Sequence, residues 1–208
     1  MADRFERACS AFEAANSRDP RRIEDEGTRR PLQLVHAERV ARWVERLADH
    51  PSEALRLAAR CQHLERWTVP RDDFPEGREG YLKWRRALAK FHAARATEIL
   101  QTVGYEADTI ERVQRIVLKQ GIKRDAEVQT MEDALCLTFL EHEAAEFAAK
   151  HDPAKVVAIL EKTLVKMSDR GKEEAWRLEL PAGVRAALDA TLTESSPVIR
   201  TRDSLRGS

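Results

Sequence analysis

Apolar residues recur at spacings of three and four through most of this 208-residue chain, which is the pattern of amphipathic α-helices. Alternating strand patterns rich in Val, Ile and Thr are almost absent, so the chain is predicted to be all-α. Helices are expected at roughly 3–17, 31–49, 52–66, 79–103, 106–119, 126–150, 153–168 and 181–192, with Pro and Gly marking several of their limits.

Three segments lack a helical apolar face. Residues 17–30 are almost wholly polar and are expected to form a surface loop, and residues 68–79 contain prolines that interrupt a helix. The tail at 193–208 has little to bury and is expected to be disordered. The chain is therefore predicted to form one helical domain over 1–192, in which 153–192 supply the C-terminal helices.

Charge and cysteine content limit which partners and which cellular compartment are expected for this protein. The 36 basic and 36 acidic residues balance, so net charge does not indicate a nucleic-acid or membrane partner. The longest apolar runs are too short to span a bilayer, and the N-terminus interleaves charges with apolar residues, unlike a signal peptide. Three widely spaced cysteines favour a reducing compartment, and a cytoplasmic location is expected.

Four polar residues lie on predicted apolar helix faces. Each has apolar neighbours three, four, seven or eight positions away on its own helix; the four are His36, His63, His92 and Asp133. A single inward histidine is more often a hydrogen-bonded core residue than a metal ligand. Imidazoles and a carboxylate from four different helices, however, form a ligand set that suits a divalent transition metal such as Fe, Mn, Co, Ni or Zn.

The order and spacing of these residues resemble the HD-domain superfamily of metal-dependent helical enzymes. The segments concerned are LVHAERVARWVERL, AARCQHLERW, FHAARATEIL and MEDALCLTFLE, within about residues 31–150. More narrowly, CQHLERW, GYLKWRRALAKFHA and EDALCLTFLE look like the family called domain of unknown function 4202. The resemblance implies a single HD-like helical bundle with a metal centre held by the three histidines and Asp133.

The chain departs from the HD pattern at its central pair. Where the superfamily has His followed by Asp, this chain has His63 followed by Leu64, and the nearest acid is Glu65. Residues two apart on a helix point about 200° apart, so His63 and Glu65 share one centre only if the helix unwinds there. Glu141, eight residues after Asp133, is an alternative carboxylate or a partner for a ligating histidine.

The superfamily resemblance makes a metal-dependent phosphohydrolase the leading functional prediction. Such an enzyme needs cations for the charge that develops on the phosphoryl group, and Arg66, Lys83 and Arg85 are the candidates beside a catalytic Glu65. The expected partner is a phosphorylated, nucleotide-like small molecule. In the alternative interpretation, the same cations pair with nearby acids in a surface network. Two other functions stay open, a di-iron oxygenase of HD type and a non-catalytic binding module with an altered site.

Overall fold

The computed structural model describes residues 3–195 of the chain, and side chains as far as Thr191. The described part consists of helices with one small two-stranded sheet, which confirms the predicted all-α class. Within the span predicted as one domain, the chain divides into two compact units, the first ending at Thr138 and the second beginning at Phe139.

The first unit contains both strands and the longer helices. Its helices are α1 (Arg4–Asn16), α2 (Leu32–Leu47), α3 (Glu53–Cys61), α4 (Gly77–Val103), α5 (Ala107–Val117) and most of α6 (Ala126–His142). Between α3 and α4 lie two short 3-10 turns, Arg66–Thr68 and Arg71–Asp73. Helix α3 packs against α1, α2 and α5, and α4 packs against α1 and α5. Trp43, Leu57 and Leu88 are among the buried side chains that fill this core.

The second unit is built from shorter helices. They are α7 (Ala144–Lys150), α8 (Pro153–Lys166), α9 (Asp169–Arg177) and α10 (Ala182–Ser195). Helix α10 packs against α8 and α7, with Leu160 and Leu188 buried. Asp152 caps α8 by accepting from the Lys155 amide, and Pro153 occupies the first turn, where its missing N–H costs nothing.

The segment predicted as a surface loop is a β-hairpin. Strands β1 (Arg22–Asp25) and β2 (Thr28–Pro31) pair antiparallel, with Asp25 opposite Thr28. Glu26 and Gly27 form the two-residue turn, and both have positive φ, as a tight hairpin turn requires. The expectation of a loop at 17–30 is wrong because polar contacts, rather than an apolar face, hold these residues. The buried Asp25 carboxylate accepts 2.8 Å hydrogen bonds from Arg30 and Arg39.

Four features of the helices also differ from the prediction. Helix α3 ends at Cys61 instead of 66, and the expected helix at 126–150 is broken at Glu143, whose φ of -121° leaves the helical region. Helix α9 was not expected, because its buried face consists only of Gly171 and Ala175. Helix α10 continues to Ser195, and the remainder of the predicted tail, 196–208, lies outside the described residues.

None of the described helices combines the length and apolar character needed to cross a bilayer.

Candidate functional site

Three of the predicted ligands meet in the first unit. His36 lies in the second turn of α2, His63 follows the end of α3, and His92 lies in the middle of α4. The rings of His36 and His63 stack with centroids 4.7 Å apart, and those of His63 and His92 are 5.8 Å apart. These three residues are called the histidine cluster below. Since no two of them are close in sequence, tertiary packing brings the cluster together.

One hydrogen bond links the first two members of the cluster. His63 Nδ1 and His36 Nε2 are 2.8 Å apart, so one ring donates and the other accepts. Burial, and then the nearby His36 and Arg66, hold the pKa of His63 well below its usual value. His63 is therefore neutral at physiological pH, the state in which a histidine ligates a metal.

The third member, His92, is almost fully enclosed at 2% exposure. Its Nδ1 lies 2.8 Å from the Leu64 carbonyl oxygen, and because a carbonyl only accepts, Nδ1 must carry the proton. The lone pair of the neutral ring is consequently on Nε2. That atom is buried without a hydrogen-bond partner among the described residues. Burial lowers the pKa of His92 to about 4, so the lone pair is retained at neutral pH.

The chain between α3 and the first 3-10 turn explains how His63 and Leu64 reach the cluster. Helix α3 stops at Cys61, and Glu65 adopts a left-handed conformation with φ 51° and ψ 34°. The helix thus unwinds before Glu65. Such unwinding is what would allow the Glu65 carboxylate and the His63 ring to share one centre. In the structure the Glu65 carboxylate is bound by two guanidinium groups, Arg18 at 2.6 Å and Arg95 at 2.7 Å.

The two candidate carboxylates of α6 have different surroundings. Asp133 is 3% exposed, and its Oδ1 accepts a 2.9 Å hydrogen bond from Gln129 Nε2. Glu141 is exposed and forms a 3.1 Å contact with Nε2 of His142. Asp133 is therefore the inward carboxylate that the apolar pattern predicted.

The predicted cations divide into two groups. Lys83 forms a 2.7 Å ion pair with Glu79, one turn earlier on an exposed face of α4. This pairing agrees with the alternative in which the cations pair with nearby acids at the surface. Arg66 lies over the Trp84 ring, 4.9 Å from its centroid, and Arg85 contacts the Tyr81 hydroxyl at 3.4 Å. The charges of Arg66 and Arg85 contribute to the lowered pKa of His92. Arg66 and Arg85 thus act electrostatically on the cluster.

Sequence reasoning missed two groups of residues that bear on the site. Lys119, just after α5, contributes to the lowered pKa of His63, and it pairs with the buried Glu132 at 2.5 Å. Lys119 does not lie at the spacing of an apolar helix face, so the sequence pattern could not identify it. Asn16, which is 1% exposed, accepts from the Glu65 amide at 3.1 Å. Asn16 lies four residues after the buried Phe12 on α1, so the rule that singled out the histidines would have found it.

A preformed metal centre is not present among the described residues. Within residues 3–195, no group of three or more His, Cys, Asp or Glu side chains has the arrangement to hold a metal ion. The hydrogen bond between His36 and His63 is one physical reason, because it engages one nitrogen of each ring. A cavity of about 550 Å³ between α1, the hairpin and α2 is lined by other residues, among them Phe12, Leu34 and Arg60.

Comparison with known proteins places the chain in a family. No curated protein and no solved structure is significantly similar to it. A family profile does match, over residues 6–188, and this span contains the whole histidine cluster together with Glu65 and Asp133. The chain therefore belongs to the family described as "Domain of unknown function (DUF4202)".

Proposed function

We propose that this protein is a metal-dependent hydrolase of a phosphate ester, with the histidine cluster as its metal-binding centre and an HD-like ligand arrangement. The observation that carries the proposal is the Nε2 atom of His92, a buried lone pair without a hydrogen-bond partner among the described residues. Buried polar atoms are usually satisfied, so this acceptor is a feature to be explained. Other buried atoms, among them Gln33 Oε1 and Gln62 Oε1, also lack a partner among the described residues, but His92 Nε2 is the one that belongs to the histidine cluster. A divalent metal would satisfy it.

The donor set fits such an ion chemically. Neutral imidazoles are the commonest nitrogen ligands of transition metals, and burial favours the neutral form of both His63 and His92. The Leu64 carbonyl fixes the tautomer of His92, as an outer hydrogen bond commonly does for ligating histidines. Asp133 is the carboxylate that we assign to the same centre. Binding of the ion would require His36 and His63 to exchange their mutual hydrogen bond for metal contacts.

The charges around the cluster suit a phosphorylated substrate. The chemistry supplied by a bound divalent metal is polarisation of a phosphoryl oxygen and activation of water. Arg66, Arg85 and Lys119 act electrostatically on the cluster histidines. Cations fixed beside the reacting group stabilise the negative charge that develops on the phosphoryl oxygens, without reorganisation during the reaction. Of the three cations predicted from the sequence to contact the phosphoryl group, Lys83 is the weakest candidate, because it is paired with Glu79.

The test is hydrolysis of p-nitrophenyl phosphate and bis(p-nitrophenyl) phosphate by chelator-treated protein reloaded separately with Mn²⁺, Co²⁺, Ni²⁺, Zn²⁺ and Fe²⁺. The variants are His63→Ala and, as a matched control, His50→Ala, since His50 is exposed beyond the end of α2. We expect metal-dependent hydrolysis that His63→Ala lowers by roughly a hundredfold or more and His50→Ala leaves unchanged.

The assay also separates the alternatives. Hydrolysis that persists without dioxygen supports the hydrolase. Consumption of dioxygen by the iron-loaded protein, without hydrolysis, would point to a di-iron oxygenase instead. Failure to bind any of the five metals would leave a non-catalytic binding module and contradict the proposal.

A further inference from the structure

We infer that Glu65 is a positioning residue of the histidine cluster, acting through a clamp formed by its carboxylate with Arg18 and Arg95. These three residues are called the Glu65 clamp below. The inference rests on the proposed metal centre and deepens it, because it gives Glu65 a role other than that of ligand or general base. The clamp holds the turn that presents the His63 ring and the Leu64 carbonyl to the cluster.

The backbone at Glu65 shows that this turn is held in place by its surroundings. A φ of 51° is sterically unfavourable for a residue with a Cβ, and glycine would adopt it with less strain. Such a conformation persists only when neighbouring contacts over-determine it. Here the Glu65 amide donates to Asn16 Oδ1 at 3.1 Å, and its carbonyl accepts from the Thr68 amide at 3.0 Å and from the Thr68 hydroxyl at 2.9 Å.

The side chain explains why a carboxylate occupies this strained position. Glu65 is 8% exposed, and its two oxygens are used separately, Oε1 by Arg18 and Oε2 by Arg95. Charge-assisted bonds of 2.6 and 2.7 Å are short, and each carboxylate oxygen has its own donor. The Arg18 side chain is 66% exposed and that of Arg95 is 31% exposed, so Arg95 is the stronger arm of the clamp.

Arg95 connects the clamp to the cluster. It lies on α4 three residues after His92, so the two side chains leave neighbouring turns of one helix. Arg95 binds Glu65, and His92 Nδ1 donates to the carbonyl of Leu64, the residue just before Glu65. Two adjacent contacts therefore join α4 to the turn after α3. The first is ionic and lies outside the cluster, and the second sets the tautomer of His92.

Loss of the clamp should allow His92 to adopt both tautomers. If the turn moves, the Leu64 carbonyl no longer selects a proton on Nδ1, and the ring also populates the form with its proton on Nε2. That form lacks the buried lone pair that the proposed metal would use. Removal of an outer contact to a metal-ligating histidine commonly weakens metal binding by about 10- to 100-fold.

The experiment compares wild type with Glu65→Gln, Glu65→Gly and Arg95→Met. Glu65→Gly removes the clamp while relieving the strain of the positive φ, so it separates the carboxylate from the backbone conformation. The matched control is Glu98→Gln, because Glu98 pairs with the same Arg95 but is exposed and lies outside the turn. Ring ¹⁵N shifts of the histidines are recorded on metal-free protein at one fixed pH, and Zn²⁺ affinity is measured by competition with a chelator.

We expect wild type and Glu98→Gln to show His92 with its proton on Nδ1 and to share one Zn²⁺ affinity. Glu65→Gln, Glu65→Gly and Arg95→Met should show a mixture of His92 tautomers and a Zn²⁺ affinity about 10- to 100-fold lower. Unchanged His92 shifts together with Zn²⁺ affinity within twofold of wild type in folded Glu65→Gly would overturn the inference.

Two further outcomes remain decisive. If wild type binds none of Zn²⁺, Mn²⁺, Co²⁺, Ni²⁺ and Fe²⁺, the proposed function fails, while the tautomer measurement still decides whether the clamp positions His92. If Glu65→Gln does not fold, Arg95→Met supplies the same test from the other partner, because it leaves the Glu65 backbone contacts in place.

Discussion

Acid should destabilise the metal-free protein through His92 in particular. This ring is 2% exposed, and burial lowers its pKa from 6.5 to about 4 in the folded state. In the unfolded chain His92 binds a proton near pH 6.5, whereas in the folded chain it binds one only near pH 4. The folded state therefore binds fewer protons than the unfolded state across this window, and the free energy of unfolding must decrease as the pH falls through it.

The magnitude follows from the difference between the two pKa values. Each unit corresponds to 1.36 kcal/mol, so a difference of about 2.5 units contributes roughly 3 kcal/mol of destabilisation once the pH reaches 4. The contribution is negligible above pH 7. His63, whose pKa is also lowered by burial, acts in the same direction.

The assay is urea unfolding of chelator-treated protein at several values between pH 7.5 and pH 4, for wild type and His92→Gln. Glutamine does not titrate, and its amide can still donate to the Leu64 carbonyl. We expect the free energy of unfolding of wild type to fall by about 3 kcal/mol more than that of the variant over this range. Parallel pH profiles for the two proteins would refute the assignment of a buried, neutral His92.

Two substitutions outside the cluster test the stability of the first unit. Asp125→Asn should lower the free energy of unfolding by about 2 kcal/mol at pH 7, because hydrogen bonds from Arg112 lower the pKa of Asp125 from 3.8 to about 2. In wild type this stabilisation is complete above pH 3.8 and should vanish as the pH falls through 2. Gly104→Ala should cost about 1 kcal/mol, since Gly104 ends α4 with a φ of 91°, and an unchanged thermal midpoint would contradict this.

The helical fold was largely readable from the sequence because apolar periodicity and capping residues agree along most of the chain. Pro153 and Gly104 lie where helices were expected to begin and end. The hairpin was missed because it is held by ion pairs of Asp25 with Arg30 and Arg39, and such pairs leave no periodic signal. The break at Glu143 was missed for a related reason, since neither proline nor glycine marks it.

The histidine cluster was predictable in its members and less so in its geometry. Inward positions on separate helices identified His36, His63 and His92, which the structure brings into ring contact. The left-handed turn at Glu65 was not predictable, because its conformation depends on contacts with Asn16 and Arg95 that are distant in sequence. Tertiary contacts of this kind decide whether a carboxylate meets a metal or a guanidinium group.

The most direct test of the central proposal is the metal content of the protein purified without a histidine tag or chelator, measured by elemental analysis beside His63→Ala. We expect about one or two equivalents of a divalent transition metal in wild type, lost from a folded His63→Ala variant. Absence of metal from wild type, even after reconstitution with iron, manganese, cobalt, nickel and zinc, would contradict it.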